Sequence, residues 1–544
     1  MVYPAKKHAL KTLQKLAELL PAEDKIKPQV ILVVGEVTPY RNDTDRELPF
    51  RQESNFHYLT GCTVPGSSLL LSASSATSSE FLTNTLFVPP IEPADLMWSV
   101  PPPTVEAARE SHDVPSVQHT TELPKALADA LANASGALVH VLPLQSTKFP
   151  KIPENLVTLS QASAGSSVTD AFLLPALGKA RLIKDAEEIE RIRVANAISS
   201  RAHETVMRVL GQGVRGLIQD GRKEGKEGER PLLPGEWLIE KEAEAEAVFV
   251  ASCRREGAVH QAYLPIVAAS TRAATLHYCC NDREFAWGPV NAHDHKNRAQ
   301  FAHATGDREN RKLLPQVLLI DAGCEWDCYA ADITRTMPVG NSGKFTPEAR
   351  AIYSLVHEMQ LAAFEALKPG LHWDAVQLLC HRTLVRGFQR LGIFKRPDSP
   401  GSGSWNAEEA ILASGISAAF FPHGLGHSLG MDVHDVPETS RPGVNGTVAP
   451  VALGHPSFYT YLRLRLPLEE NMVVTVEPGC YFHQHLLEPV RDSKHIDHEV
   501  LKRYESVGGV RIEDVVVITK DGYENLTTVK SDVEWVEGVC SGEL

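Results

Sequence analysis

The 544-residue chain is short of the features that usually fix a protein's surroundings. No window holds the roughly 20 consecutive apolar residues needed to cross a bilayer. The opening stretch, MVYPAKKHALKTLQKLAELLPAED, lacks the apolar core of about 7–15 residues and the small-residue cleavage site of a secretory leader. Its apolar residues instead recur every three or four positions and predict an amphipathic helix. No C-x-x-C pair occurs, and the nine cysteines between Cys62 and Cys540 are scattered and odd in number. Reduced thiols in a cytoplasmic protein are therefore expected, and the Asn-x-Ser/Thr triplets at Asn42, Asn133, Asn445 and Asn525 read as chance matches. Basic residues are outnumbered, 54 against 68 acidic, for a net charge of −14. That balance argues against general affinity for nucleic acid or an anionic membrane, because nothing offsets phosphate repulsion. No internal repeat of solenoid period is present.

What is there is an ordinary globular composition, 43% hydrophobic and 22% charged, in a chain too long for one core. Short apolar runs of strand length, QVILVVGE (29–36) and TLFVPP (85–90), alternate with helical and turn-rich segments in the first part. This predicts an α/β domain over residues 1–175, closed by the Ser/Ala-rich LSQASAGSSVTDAF. A second domain, 176–544, is expected to open on a helix, RLIKDAEEIERIRVANAISSRAHETVMRVL (181–210), with Leu182, Ile189, Ile192, Ala195, Ile198 and Ala202 on one face. From about 245 strand-like segments prevail, with helices expected at 347–368 and 372–391. Four polar stretches, 211–236, 291–312, 438–460 and 484–506, read as surface insertions.

The chemistry is concentrated in the second domain. In VLLIDAGCEWDCYAADITRT an apolar run stops at Asp321, and Asp332 follows eleven residues later. A strand, a turn through Gly323 and a return strand would set the two carboxylates side by side, although a hairpin with solvated aspartates fits this segment equally well. Glu477 ends the apolar run of MVVTVEPG, and Glu513 interrupts that of GGVRIEDVVVIT. Buried carboxylates need partners or a metal. The stretch FFPHGLGHSLGMDVHD adds His423, His427 and His434; the first two have the i, i+4 spacing of a helical ligand pair, but Gly424, Gly426 and Gly430 favour a tight loop. Two Asp, two Glu and at least one His form a hard, oxygen-rich set suited to Mn²⁺, Fe²⁺ or Co²⁺, with zinc less natural. Five ligands, four of them carboxylates, fit two ions about 3.5–4 Å apart that share bridging oxygens.

At this point the sequence resembles the M24B metallopeptidases of pita-bread fold, the aminopeptidase P and prolidase family. AATLHYCCND, LLIDAGCEWDCYAADITRT, PHGLGHSLGMDVHD, MVVTVEPGCY and GGVRIEDVVV occur in the family's order, and FRQESNFHYLTGC is similar to its amino-terminal domain. The resemblance implies an α/β amino-terminal domain before a pita-bread catalytic domain. It implies Asp321 on one metal, Asp332 and Glu513 bridging both, and His427 and Glu477 on the other. Glu477 would also exchange a proton with a hydroxide bridging the two ions. His423, His434 and His277 would line the substrate and could donate to its carbonyl oxygen as negative charge develops there. Arg511 would stand beside the bridging glutamate in the substrate-binding set, and Arg463 would match an arginine that in prolidases holds the substrate carboxylate.

The activity so implied is release of the amino-terminal residue from peptides with proline in second position, with two divalent ions, most naturally Mn²⁺, and with homodimerisation left open. A dipeptide-only prolidase is the alternative that Arg463 keeps in play. A non-catalytic binding protein and a metal-free creatinase-like hydrolase are disfavoured by the complete ligand set. The chain departs from the family pattern at Asn471, where glycine is usual; asparagine also tolerates the positive φ expected there. Cys324 and Cys328 lie near the metal segment and are expected to be small buried thiols. His293, His295 and His303, in a charged insertion, are not expected to form a second metal site.

Overall fold

The computed structural model describes residues 3–162, 165–218, 238–288, 312–395, 404–441 and 454–544. The insertions expected at 211–236, 291–312 and 438–460 fall largely outside these residues, as do His293, His295 and His303. The chain divides into two compact units, Met1–Ile183 and Lys184–Leu544.

The first unit is built on a six-stranded mixed sheet of order β4-β3-β2-β1-β5-β6. Its strands are β1 (Gln29–Val34), β2 (Ser68–Ala73), β3 (Thr83–Val88), β4 (Ser116–His119), β5 (Leu138–His140) and β6 (Ser167–Thr169). Every residue of β1 and β2 is buried, as expected of central strands covered on both faces. The amphipathic opening forms the helix Ala5–Leu19, which buries Ala9, Leu13 and Leu16.

The second unit opens on the helix Ala186–Val214, started by a capping box between Asp185 and Glu188. It buries Ile192, Ala195, Ile198 and Ala202 as expected, while Ile189 stays half-buried. A further helix, Glu242–Arg255, occupies a region expected to be strand-like. Its opening EAEAEA alternates at period two, but Glu and Ala favour helix, and Ala245, Val248, Phe249 and Cys253 fall on one buried helical face. The expected helices near 347–368 and 372–391 span Pro347–Ala366 and Trp373–Leu391. The stretch 484–506 is more than a surface insertion, since Leu487, Ile496 and Leu501 are buried.

The strands of this unit are β7 (Ile266–Ala269), β8 (Trp287–Gly288), β9 (Lys312–Leu313), β10 (Gln316–Asp321), β11 (Glu325–Trp326), β12 (Tyr329–Ala330), β13 (Thr334–Val339), β14 (Val473–Val476), β15 (Gly479–Tyr481), β16 (Gly509–Arg511), β17 (Asp514–Ile518) and β18 (Tyr523–Asn525). Two three-stranded antiparallel sheets, β13-β10-β7 and β14-β17-β18, carry most of the site. The return from Asp321 is longer than a simple turn: the β11–β12 hairpin intervenes, and the return strand β13 begins at Thr334, opposite Asp321. Asn471 does adopt a positive φ, 67°, in the turn before β14.

Arg335 links the two sheets from behind. Wholly buried, it donates to Asp514 Oδ1 at 2.7 Å and to the carbonyl oxygens of Glu513 at 2.9 Å and Val529 at 2.5 Å. Replacing Arg335 with Met strands a buried carboxylate and these carbonyls, a loss of about 3–5 kcal/mol. Urea unfolding of Arg335→Met should show that drop, and a change under about 1 kcal/mol would mean the clamp is dispensable.

Candidate metal centre

Five strand ends and one loop bring the chemistry together. Asp321 ends β10, Asp332 precedes β13, Glu477 follows β14, and Glu513 lies between β16 and β17. The histidine stretch is a loop laid along β14, not a helix. Thr475 N–H donates to His427 O at 3.0 Å, and Leu429 N–H donates to Val473 O at 3.0 Å. A side chain at Gly426 would place its Cβ 2.0 Å from Thr475 O, so glycine there is what lets the loop lie flat on the strand. Gln377, buried on the helix Trp373–Leu391, holds the loop's other side. Its Oε1 accepts from Leu425 N–H at 2.6 Å, and its Nε2 donates to His423 O at 3.2 Å.

One ligand atom from each of Asp332, His427 and Glu513 lies within 4.8 Å of the others, and all three residues are buried. His427 Nε2 is 3.3 Å from Asp332 Oδ2 and 3.5 Å from Glu477 Oε1. Its Nδ1 is 3.1 Å from Ser428 O, a contact that leaves Nε2 as the electron-pair donor. Glu513 Oε2 accepts from the Thr334 hydroxyl at 2.7 Å, but Glu513 Oε1 is buried without a hydrogen-bond partner among the described residues. An orphaned buried carboxylate oxygen costs on the order of 1–3 kcal/mol or more.

The charges are out of balance in the same place. Burial, then neighbouring Asp321 and Glu477, pushes the Asp332 carboxyl well above the usual carboxylate range. Burial and Glu513 do the same to Glu477, and burial with Asp332 and Asp321 to Glu513. Tyr263 makes the point geometrically. Its hydroxyl lies 2.5 Å from Asp321 Oδ1 and 2.5 Å from Asp332 Oδ1, yet one O–H donates to only one oxygen at a time. Hard oxygen donors, one imidazole, an orphaned lone pair and mutually repelling carboxylates are what divalent cations would satisfy, so these residues fit such a group.

Around this core the expected substrate residues differ in how free they are. Arg511 is buried and fully engaged: it pairs with Asp321 Oδ2 at 2.5 Å and donates to Tyr481 Oη at 2.9 Å and Thr334 Oγ1 at 3.1 Å. It is placed to hold Asp321. His423 has both ring nitrogens occupied, Nδ1 2.8 Å from Gly424 O and Nε2 2.8 Å from Tyr481 Oη. Its Nδ1 also lies 3.7 Å from Glu477 Oε2. Burial lowers its pKa to about 3, with Arg511 adding to the effect, so the ring is neutral. His434 is lowered to about 3 by burial and then by His427, whose ring it meets edge-on at 4.5 Å between centroids. His277 lies at the surface with part of its ring against the protein, and that partial burial, then the Arg463 charge, lowers its pKa. Half-buried Arg463 also acts on His423, His427, His434 and Glu477, which puts its charge within reach of the whole cluster.

Tyr263 and Gln377 belong to the site but carry no motif, and Tyr481 closes the MVVTVEPGCY segment without having been singled out. The only sequence signal for Tyr263 is its place three residues before β7, the strand that pairs with the Asp321 end of β10. Cys324 is buried as expected, and Cys328 is half-buried in the β11–β12 turn at a φ of 64°.

The two antiparallel sheets with converging carboxylates define a pita-bread protein with a centre for hard cations. The chain belongs to metallopeptidase family M24, whose model matches residues 190–520, and the aminopeptidase P amino-terminal domain matches residues 10–140. It is 37% identical over 543 residues to a probable Xaa-Pro aminopeptidase PEPP of Pyricularia oryzae, covering 99% of this chain and 97% of the relative. A probable Xaa-Pro aminopeptidase PEPP of Podospora anserina is 38% identical, with 98% and 96% covered. Among solved structures, E. coli aminopeptidase P matches with a TM-score of 0.70 at 26% identity, covering 99% of this chain and 98% of that one. Pseudomonas aeruginosa aminopeptidase PepP matches with a TM-score of 0.71, also at 26% identity, covering 100% and 99%. Membership of this metallopeptidase family implies divalent metal ions.

Tyr263→Phe removes the hydroxyl that Asp321 and Asp332 share. Metal-free protein should lose about 1–3 kcal/mol of stability, while protein loaded with Mn²⁺ should lose less, because cations then compensate the carboxylates. Urea midpoints with EDTA and with Mn²⁺ measure both, and equal losses would mean that no cation shares those oxygens.

Proposed function

We propose that the protein is a metal-dependent Xaa-Pro aminopeptidase that hydrolyses the bond before a penultimate proline and releases the amino-terminal residue. The observation that carries this reading is the convergence of buried Asp332, His427 and Glu513, together with a Glu513 Oε1 that has no hydrogen-bond partner among the described residues, in a chain of this family. Residues 1–175 are read as the amino-terminal domain and 176–544 as the catalytic domain; matches at 10–140 and 190–520 support that division. Nine free cysteines suit a cytoplasmic location, and no helix of the described residues is long and apolar enough to cross a membrane.

In this reading Asp321, Asp332, His427, Glu477 and Glu513 hold two divalent ions, and the oxygen-rich set favours Mn²⁺. Bound ions of this kind polarise a carbonyl and acidify an attacking water. Glu477 accepts the proton of that water at a carboxylate oxygen and returns it to the proline nitrogen as the carbon–nitrogen bond breaks. His434, neutral and beside His427, donates an N–H to the carbonyl oxygen as negative charge develops there. His423 serves the same oxygen as a unit with Tyr481, because its Nε2 already shares a proton with that hydroxyl. Arg511 keeps Asp321 oriented. Arg463, with its charge over the cluster, favours a second reading in which a substrate carboxylate is clamped and only dipeptides are cleaved.

The test is metal analysis paired with hydrolysis of an Xaa-Pro peptide series, with and without Mn²⁺. Release of the first residue from Xaa-Pro-Xaa tripeptides supports the aminopeptidase, cleavage of Xaa-Pro dipeptides alone supports the dipeptidase, and no metal with no activity sinks both. Asp332→Ala and Glu513→Ala should abolish turnover and lower metal content. His423→Ala should keep its metal while slowing turnover by roughly a hundredfold or more; loss of metal from that variant would reassign the histidines.

A further inference from the structure

Lys184 and Asp435 are not among the metal donors, yet they form an ion pair of 2.9 Å in which each side chain is only 1% exposed. A buried ion pair is weak evidence for stability, because apolar residues of similar volume commonly do as well. What surrounds this pair is specific. On one side of Asp435 is His434, with its ring edge-on to His427. On the other is Val436, held at φ 41° and ψ 57°, a left-handed conformation that a β-branched residue disfavours.

Asp435 N–H donates to Ser428 O at 2.9 Å, closing the loop back on the residue after His427. A Cβ at Gly430 would lie 2.5 Å from Asp435 Oδ2 and 3.0 Å from Lys184 Cε, so the loop is shaped around the pair. Lys184 N–H donates to Asn471 O at 3.0 Å, at the turn that leads into β14 and Glu477. The pair therefore ties the histidine loop to the start of the strand that delivers Glu477.

We propose that Lys184 and Asp435 are a positioning pair for the reaction: by fixing the Asp435 side chain they hold Val436 in its left-handed conformation and keep His434 against His427. Strain of this kind persists only where the surroundings over-determine it. Without the pair, Val436 relaxes to a right-handed or extended backbone and the chain turns His434 out of the cluster. The kinetic part rests on the peptidase reading above.

The experiment combines Lys184→Met with Asp435→Leu in the full chain loaded with Mn²⁺. Removing both charges together avoids stranding one of them, so the protein is expected to fold with its metal bound. The kcat for an Xaa-Pro tripeptide should fall by roughly 10- to 100-fold, the scale of displacing a group by about 1 Å, with KM changed far less. Adding Val436→Gly should recover much of that loss, because glycine adopts the left-handed conformation without strain. A purely structural pair predicts neither the kcat loss in a stable variant nor the rescue. A folded double variant within about twofold of wild-type kcat overturns the proposal, as does the absence of any rescue. Should the double variant fail to fold, Asp435→Asn keeps the shape and serves in the same measurements. A crystal structure of the variant judges the pair independently of activity: a displaced His434 ring supports it and an unmoved one overturns it. If wild-type protein cleaves no Xaa-Pro peptide, the peptidase reading fails, while this crystallographic result still stands.

Discussion

Buried negative charge is the constraint on which the second unit depends. Asp321, Asp332 and Glu513 are nearly inaccessible and Glu477 half-buried, and burial together with their neighbours pushes the last three of that set, Asp332, Glu513 and Glu477, towards protonation. The protein offsets part of this itself. Arg511 neutralises Asp321, the Thr334 hydroxyl serves one oxygen of Glu513, and the Tyr263 hydroxyl is shared by two carboxylates. What is left over, including Glu513 Oε1, is more acceptor capacity than the described residues satisfy, and leaving a buried carboxylate oxygen in that position is costly unless a ligand serves it. Hard divalent ions are the simplest group that removes it.

Delivering those carboxylates to one place is the task of the backbone. Three of the four sit at or beside a strand end, Asp321 as the last residue of β10, Glu477 just after β14 and Glu513 just before β17, so the ladders of two separate sheets hold their backbones. Thr334 joins the sheets by bridging to Glu513, while Arg335, one residue on, reaches behind to Asp514. The histidine loop is then fixed from three directions: β14 beneath it, Gln377 on one side and the Lys184–Asp435 pair on the other. A chain of contacts from Asp321 through Arg511 and Tyr481 to His423 means that the carboxylate end and the histidine end share one network. Such networks orient the groups that touch a metal or substrate more sharply than packing alone.

Much of this was legible in the sequence, for a physical reason. A carboxylate that ends an apolar strand stands out because it breaks a pattern, so Asp321, Glu477 and Glu513 could be named from their own segments. Tyr263 could not. Its partners are 58 and 69 residues away, and a tyrosine before a strand looks like any other amphipathic side chain. Gln377 is hidden likewise within an apolar helix face. The helix Glu242–Arg255 was obscured by an alternation that imitates a strand until its buried face is known. Asp332 was named, but the connection to its return strand was drawn too short and Asp332 was set on that strand rather than before it, because two residues with positive φ, Asp327 and Cys328, let a hairpin form where no Asn-Gly or Asp-Gly pair gives warning.

The three histidines of FFPHGLGHSLGMDVHD show how little residue type and spacing say about role. His423 and His427 are four apart, yet on a loop rather than a helix they meet different oxygens of Glu477 instead of forming one helical ligand pair. His427 faces Asp332 and Glu477 because Gly426 lets the backbone close on Thr475. His423 turns instead to Tyr481, which ties it to the arginine that holds Asp321. His434 comes back over His427 two residues before the chain passes through a left-handed valine, a conformation that residue disfavours. Each imidazole is kept neutral by its burial, so none can serve as a fixed charge; each can only offer a lone pair or a proton in a set direction. Direction is a property of the backbone around them, and there the division of labour among the histidines is decided.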